Sequence, residues 1–214
     1  MIYIVKHREY KNPVPSWYKE IGVGQLYNGT GENINHLNKY LNEATAYYDL
    51  WKNSNDKTLG VCHYRRFFAE NGKIVGNKQI NDALKDCDII VPKRYKYRVS
   101  LFWVLRSDLS DGDELFLYNK YLNLIYQKEP KFKEYMMIST EFYPREMMIT
   151  SSEIFASLCE QLFEIVLPLA EKYDKEDSTS QTNPRLLGFI TERLFSYLIV
   201  KNGWKVYEMD ILEV

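Results

Sequence analysis

The sequence predicts an α/β fold, and three observations lead to it. Short apolar runs at residues 2–5, 58–68 and 87–91 alternate with stretches of helical period. The strand at 58–68, a short helix at 78–85 and the strand at 87–91, stopped by Pro92, have the spacing of a parallel βαβ unit. Two late helices follow, one opened by the capping box Thr150-Ser151-Ser152-Glu153 and one by Asn183-Pro184, before a final strand at 205–212. No repeat, low-complexity tract or linker divides the 214 residues, so a single domain over 1–214 is expected.

Composition excludes several function classes. Hydrophobic residues at 45% and charged residues at 27% are those of a soluble globular chain. A net charge of -1 argues against a general nucleic-acid binder, which usually carries a basic domain. The three cysteines, Cys62, Cys87 and Cys159, are unevenly spaced and form no Cys-x-x-Cys. That excludes a disulfide framework or a zinc site and points to the reducing cytoplasm. The opening apolar stretch is too short for a signal peptide, and no run approaches the ~20 residues that span a bilayer. Tyrosine is abundant, with 18 residues, and suits sugar or base stacking and core edges alike.

Taken in order, residues 2–5 read as a buried strand, with Lys6, His7 and Arg8 at its end, where open α/β sheets bind ligands. Ile21-Gly22-Val23-Gly24 is a second short strand or a turn, and it is not a dinucleotide fingerprint. The loop Tyr27-Asn28-Gly29-Thr30-Gly31-Glu32-Asn33-Ile34-Asn35 feeds a helix, where free N–H groups can meet an anion or Asn35 can cap. Leu37, Tyr40, Leu41, Ala44, Tyr47, Tyr48 and Trp51 then share one helical face, which is core. Glu43 lies at the edge of that stripe and calls for a cationic partner, with Arg65 or Arg66 expected.

The strand at 58–68 carries His63-Tyr64-Arg65-Arg66 between apolar residues. Burying two guanidiniums, an imidazole and a phenol is costly without partners. Either a di-anionic ligand or carboxylates elsewhere in the fold would supply them. In an unbroken pleat Arg65 and Arg66 point to opposite faces, so a joint grip on one ligand requires a break near Tyr64.

Lys93-Arg94-Tyr95-Lys96-Tyr97-Arg98 is the strongest basic cluster, suited to a diphosphate, a lipid-linked acceptor, an anionic membrane face or plain solvent. Asp111 and Asp113 form an Asp-x-Asp that can hold Mn²⁺ or Mg²⁺ or cap the helix that follows. Residues 175–183 are the candidate lid. Arg185, Gly188 and Glu192 stack on one face of the last helix, where Gly188 admits another backbone or a ligand.

Three stretches and a fourth then align with a known family. Gly31-Glu32-Asn33-Ile34, the run from Asn42-Glu43-Ala44 to Trp51-Lys52-Asn53, residues 60–68 and the segment Arg185-Leu186-Leu187-Gly188-Phe189-Ile190-Thr191-Glu192-Arg193 resemble bacterial capsular and exopolysaccharide glycosyltransferases with the His-Tyr-Arg-Arg signature. The chain departs from their pattern at Ser107 or a neighbour, where a His is usual before the Asp-Leu pair, and at Glu146-Met147-Met148-Ile149-Thr150. The resemblance implies a GT-A-like, Rossmann-type fold with a mostly parallel central sheet flanked by helices. It also implies an inverting hexosyltransferase using a nucleotide-sugar donor, with UDP-galactofuranose the candidate, in capsule, exopolysaccharide or O-antigen synthesis. The acceptor would be a saccharide or lipid-linked saccharide, with the enzyme cytoplasmic and in peripheral contact with the inner membrane face through the 93–98 cluster. A non-catalytic nucleotide- or carbohydrate-binding module is the alternative.

Glycosyl transfer requires a neutralised leaving diphosphate and a deprotonated acceptor hydroxyl. Arginines bind phosphate oxygens bidentately and stay charged, so metal-independent binding by Arg65 and Arg66, with His63 as a further donor, is expected. The candidate binding set is His7, Asn33, Glu43, His63, Tyr64, Arg65, Arg66, Arg185 and Arg193. The candidate general bases are Asp108, Glu146 and Glu192.

Overall fold

The structure, a computed structural model, describes residues 1–10, 15–107, 109, 112–176 and 185–214, without the side chains of 112–118 and 176. The site candidates Asp108 and Asp111, the side chain of Asp113, the lid at 177–183 and the Asn183-Pro184 cap therefore lie outside the described residues.

Strand β1 (Ile2–Lys6) lies between β2 (Tyr18–Gly22) and β3 (Thr58–His63), all three parallel. After β3 come β4 (Arg66–Glu70), β5 (Lys73–Ile74) and α3 (Asn77–Ala83), then β6 (Ile89–Pro92). A small two-stranded sheet pairs β7 (Tyr95–Lys96) with β8 (Glu141–Phe142), and α4 (Leu101–Ser107), α5 (Gly112–Lys128) and α6 (Pro130–Ile138) fall between them. Strand β9 (Met148–Ser151), α7 (Ser152–Glu176), α8 (Leu186–Lys201) and β10 (Val206–Glu213) complete the chain, and the main sheet has the order β2-β1-β3-β9-β6-β10-β4-β5.

The expectation of a mostly parallel sheet is corrected, because the sheet is mixed. β3 and β6 do run the same way, as the βαβ reading requires, but β9 inserts antiparallel between them. β10 is parallel to β6 and antiparallel to β4. Alternating side chains sort into two cores. Val5, Leu59, Val61, Ile89, Val91 and Met148 meet the helical layer containing α2 (Ala44–Asn53), α7 and α8. Ile4, Cys62, Ile90 and Ile149 meet the other face, with Tyr64, Phe67 and α3's Ile80.

Two breaks place the site. The strand at 58–68 reverses at Tyr64-Arg65, so that β3 and β4 share the single pair His63–Arg66. Neither turn residue has positive φ. A two-residue turn of that kind does not match strand twist and splays its strands. β4 accordingly leaves β3 and pairs with β10, closing β3, β9, β6, β10 and β4 into a ring.

The single helix expected over residues 37–51 is also interrupted. It is divided into a 3₁₀ turn Asn35–Leu37, α1 (Asn38–Leu41) and α2 (Ala44–Asn53), with Asn42 at φ 49° between. The Asn42 carbonyl accepts from Asn38 Nδ2 (2.8 Å) and the Thr45 hydroxyl (2.8 Å). Glu43 thereby heads α2 instead of lying on a helix flank, and its carboxylate meets the positive end of the helix dipole.

Candidate active site

β1 and β3 end at the same edge of the sheet, and the antiparallel β9 begins there. That edge collects His7 and Arg8 after β1, the His63–Arg66 turn after β3, and Arg145-Glu146 before β9. Glu43 at the head of α2 and the first two turns of α8 close the cleft from the side. Three adjoining hollows of ≈ 360, ≈ 130 and ≈ 220 Å³ result, all lined by Glu43 and Arg185.

The ≈ 220 Å³ hollow is strongly cationic, with Arg8, Arg65, Arg66, Arg185, His7 and His63 around one carboxylate, Glu43. The turn lets both Arg65 and Arg66 reach it, which an unbroken pleat would forbid. Arg8 and Arg65 flank the buried Tyr64 ring at 5.4 and 5.3 Å, and neither has a carboxylate partner among the described residues. Tyr64 itself is core, edge-on to His7 at 5.3 Å, and serves as a post between the two arginines. Arg66 is tied by its Nε to Glu213 of β10 at 3.0 Å, and Arg145 also pairs with Glu213 and donates to the Tyr95 hydroxyl.

Glu43 faces His63, not the arginines expected from sequence, with 3.7 Å between Oε1 and Nδ1. Burial pushes the His63 pKa down, with Arg66 adding to the effect and Glu43 opposing it, and its Nε2 has no hydrogen-bond partner. Burial likewise lowers the pKa of His7.

The ≈ 130 Å³ hollow is lined in part by three carboxylates, Glu43, Glu146 and Glu192. Arg145 and Glu146 both have positive φ, 72° and 47°, a strained pair of the sort that collects at functional sites. Tyr47 fixes the turn by donating to the Glu146 carbonyl. The Glu146 side chain is only 5% exposed and its Oε1 is unpartnered. Burial, then the neighbouring carboxylates Glu43 and Glu192, push its pKa well above the usual range against the pull of Arg193. Glu192 is held at both oxygens, by the Arg145 N–H and by Arg193. Arg193 is buried behind it, 4.5 Å over Phe142, and braces Glu192.

Other candidates are placed elsewhere. Asn33 closes its own loop, donating to the Gly31 carbonyl and accepting from the Asn35 N–H, and lines none of the three hollows. Gly31 is needed because a Cβ there would come within 2.1 Å of Asn53 Oδ1, so the glycine loop braces α2. Gly188 admits the Asn42 side chain, since a Cβ would lie 2.0 Å from its Nδ2. Much of the basic cluster is neutralised internally, with Lys93 on Asp210 (2.7 Å), Arg94 on Glu208 (2.6 Å) and Glu141, and Lys96 on Glu141 (3.6 Å). Sequence reasoning placed Arg8 at a ligand-binding strand end but left it, Arg145 and Asn42 out of the candidate set, since their only local signals are a charge at a strand end, a Pro-Arg-Glu before a strand, and an Asn within a helical stripe. Among the described residues no group of three or more His, Cys, Asp or Glu is arranged to hold a metal ion. No helix there is long and apolar enough to cross a membrane.

Comparison with known proteins gives the family and the fold. The family model described as a domain of unknown function, DUF4422, matches residues 1–203. Curated proteins give no match. Among solved structures, one described as the apo structure of the bifunctional glycosyltransferase WbbM superposes with a TM-score of 0.71 at 22% identity. The likeness covers 100% of this chain and 45% of that one, so this chain spans under half the length of WbbM and shares the fold of that part.

Proposed function

The chain belongs to the DUF4422 family, and from that premise we propose that it is a nucleotide-sugar-dependent glycosyltransferase, with residues 1–214 acting as one GT-A-like domain. The observation that carries the reading is the ≈ 220 Å³ hollow, where four arginines meet one carboxylate and two histidines, which burial biases toward the neutral form, add ring nitrogens. That charge excess suits a leaving nucleoside diphosphate, which guanidiniums neutralise while the bond to the sugar breaks. Arg65 and Arg8, without a carboxylate partner among the described residues, would take the phosphate oxygens first. The shared fold with part of a glycosyltransferase supports the reading.

The acceptor hydroxyl would lose its proton to Glu146. Its raised pKa moves a carboxylate toward the range where a general base works at neutral pH, its buried Oε1 has no hydrogen-bond partner, and the residue lines the adjoining hollow. The new bond forms between the acceptor oxygen and the anomeric carbon, and the diphosphate leaves with the electron pair of the old bond. In-line displacement inverts the anomeric centre. A UDP-hexose donor, galactofuranose above all, and a saccharide or lipid-linked acceptor in cytoplasmic polysaccharide assembly follow from the family resemblance.

A thermal-shift screen of nucleotide sugars, followed by donor hydrolysis with and without excess chelator, tests this. A donor that stabilises the protein and is slowly hydrolysed in chelator is the expected result. Activity lost in chelator and restored by Mn²⁺ or Mg²⁺ would move the diphosphate site toward Asp111 and Asp113. Binding without turnover on any acceptor would favour a non-catalytic module.

A further inference from the structure

Five large apolar side chains stand exposed in two neighbouring stretches: Tyr95, Val99 and Trp103, and Met137 and Ile138. Backbone hydrogen bonds from the Tyr97 N–H to the Thr140 carbonyl and from the Leu101 N–H to the Ser139 carbonyl, 2.8 Å each, hold the stretches side by side. Val99, Trp103, Met137 and Ile138, exposed by 51, 50, 46 and 69%, thus share one face at the junction of α4 and α6. Cations rim it. Arg98, Arg106 and Lys133 are exposed and have no carboxylate partner among the described residues, and Arg106 lies 5.3 Å over the Trp103 ring. Among the described residues the neighbouring acids are Glu134, beside Lys133 in sequence, and Glu141, the latter occupied by Arg94 and Lys96.

We propose that this face docks on an anionic lipid surface. Val99, Trp103 and Ile138 would enter the boundary between headgroups and acyl chains, while Arg98, Arg106 and Lys133 reach the headgroup phosphates. Charge decides between a membrane and a second copy of the chain. A two-fold contact centred on this face would set the same cations against each other, whereas an anionic surface complements them. Of the charges in the 93–98 cluster expected to meet a membrane, only Arg98 takes part, because Lys93, Arg94 and Lys96 are paired within the fold. The surface also lies beside the cleft. Tyr95 bonds Arg145 of the cleft, and Val99 is four residues further on, roughly 13 Å of extended chain. The proposal concerns a partner and does not depend on which reaction the cleft performs.

Flotation of the full chain with vesicles tests it, comparing phosphatidylcholine alone with phosphatidylcholine containing phosphatidylglycerol. Wild type is expected to float with the anionic vesicles and much less with the neutral ones. Trp103→Ser combined with Ile138→Ser should weaken binding by about tenfold or more. Arg98→Gln combined with Lys133→Gln should weaken it roughly fivefold per charge, and added salt should act in the same direction. Melting curves and pyrophosphate binding, unchanged in these variants, would show that fold and cleft are intact. No flotation of wild type, or equal flotation of the apolar variant, would overturn the proposal. So would a wild-type dimer that the apolar variant converts to monomer without any vesicle binding.

Discussion

Glu146 is the residue where stability and chemistry oppose each other. Its folded-state pKa lies above its unfolded value, so at pH values between the two the folded chain binds more proton than the unfolded chain. Stability contributed by this group is therefore full below the ordinary carboxyl range and is lost as pH rises toward its raised pKa. Glu146→Gln should melt higher than wild type at neutral pH, with the difference vanishing as pH falls to about 4. The same variant should lose turnover while keeping donor affinity. An unchanged turnover would remove Glu146 as the base. At the His63–Arg66 turn, Arg65→Ala should weaken UDP binding roughly tenfold at constant melting temperature. Arg66→Ala should weaken binding and also lower the melting temperature, because Glu213 loses a partner. Calorimetric titration and thermal melts would separate the two.

At the scale of elements, the site depends on a close crossing of α8 over the end of α1. Gly188→Ala would ordinarily favour a helix by about 1 kcal/mol. Here the added Cβ lies 2.0 Å from Asn42 Nδ2 and 3.1 Å from the Tyr40 carbonyl, so a net destabilisation of about 1–3 kcal/mol is expected. Pairing it with Asn42→Gly, which keeps the positive φ and removes the clashing amide, should recover most of the loss. The sequence makes α7, α8 and β10 legible because period is a local property, although Ser151, which accepts from the Ile154 N–H, caps α7 in place of Thr150, whose hydroxyl donates to the Asp88 carbonyl. It also shows that an unbroken pleat could not aim both arginines. The break in the helical stripe at Asn42 is invisible there, because Leu41, Ala44 and Tyr48 keep their helical spacing across it. Helix α6 was missed for the opposite reason, since residues 130–138 mix exposed lysines with scattered apolar side chains.

For the whole molecule, what escaped the sequence is non-local. No spacing announces that β9 will insert between β3 and β6, or that β10 will carry the partner of two cleft arginines 147 and 68 residues away. The ring closed through β4 and β10 fixes that partnership. Glu213→Gln should release Arg66 and Arg145, strengthening pyrophosphate binding several-fold while lowering the melting temperature. Weaker binding would mean that Glu213 positions the arginines for the ligand. The Glu213 contact gives the cleft a resident counter-ion, so a phosphate reaching Arg66 and Arg145 enters by exchange with a carboxylate as well as with mobile salt. On the proposed reading, a bound diphosphate would be felt along β10, the strand paired with β4, and amide protection there would gauge whether the cleft is occupied.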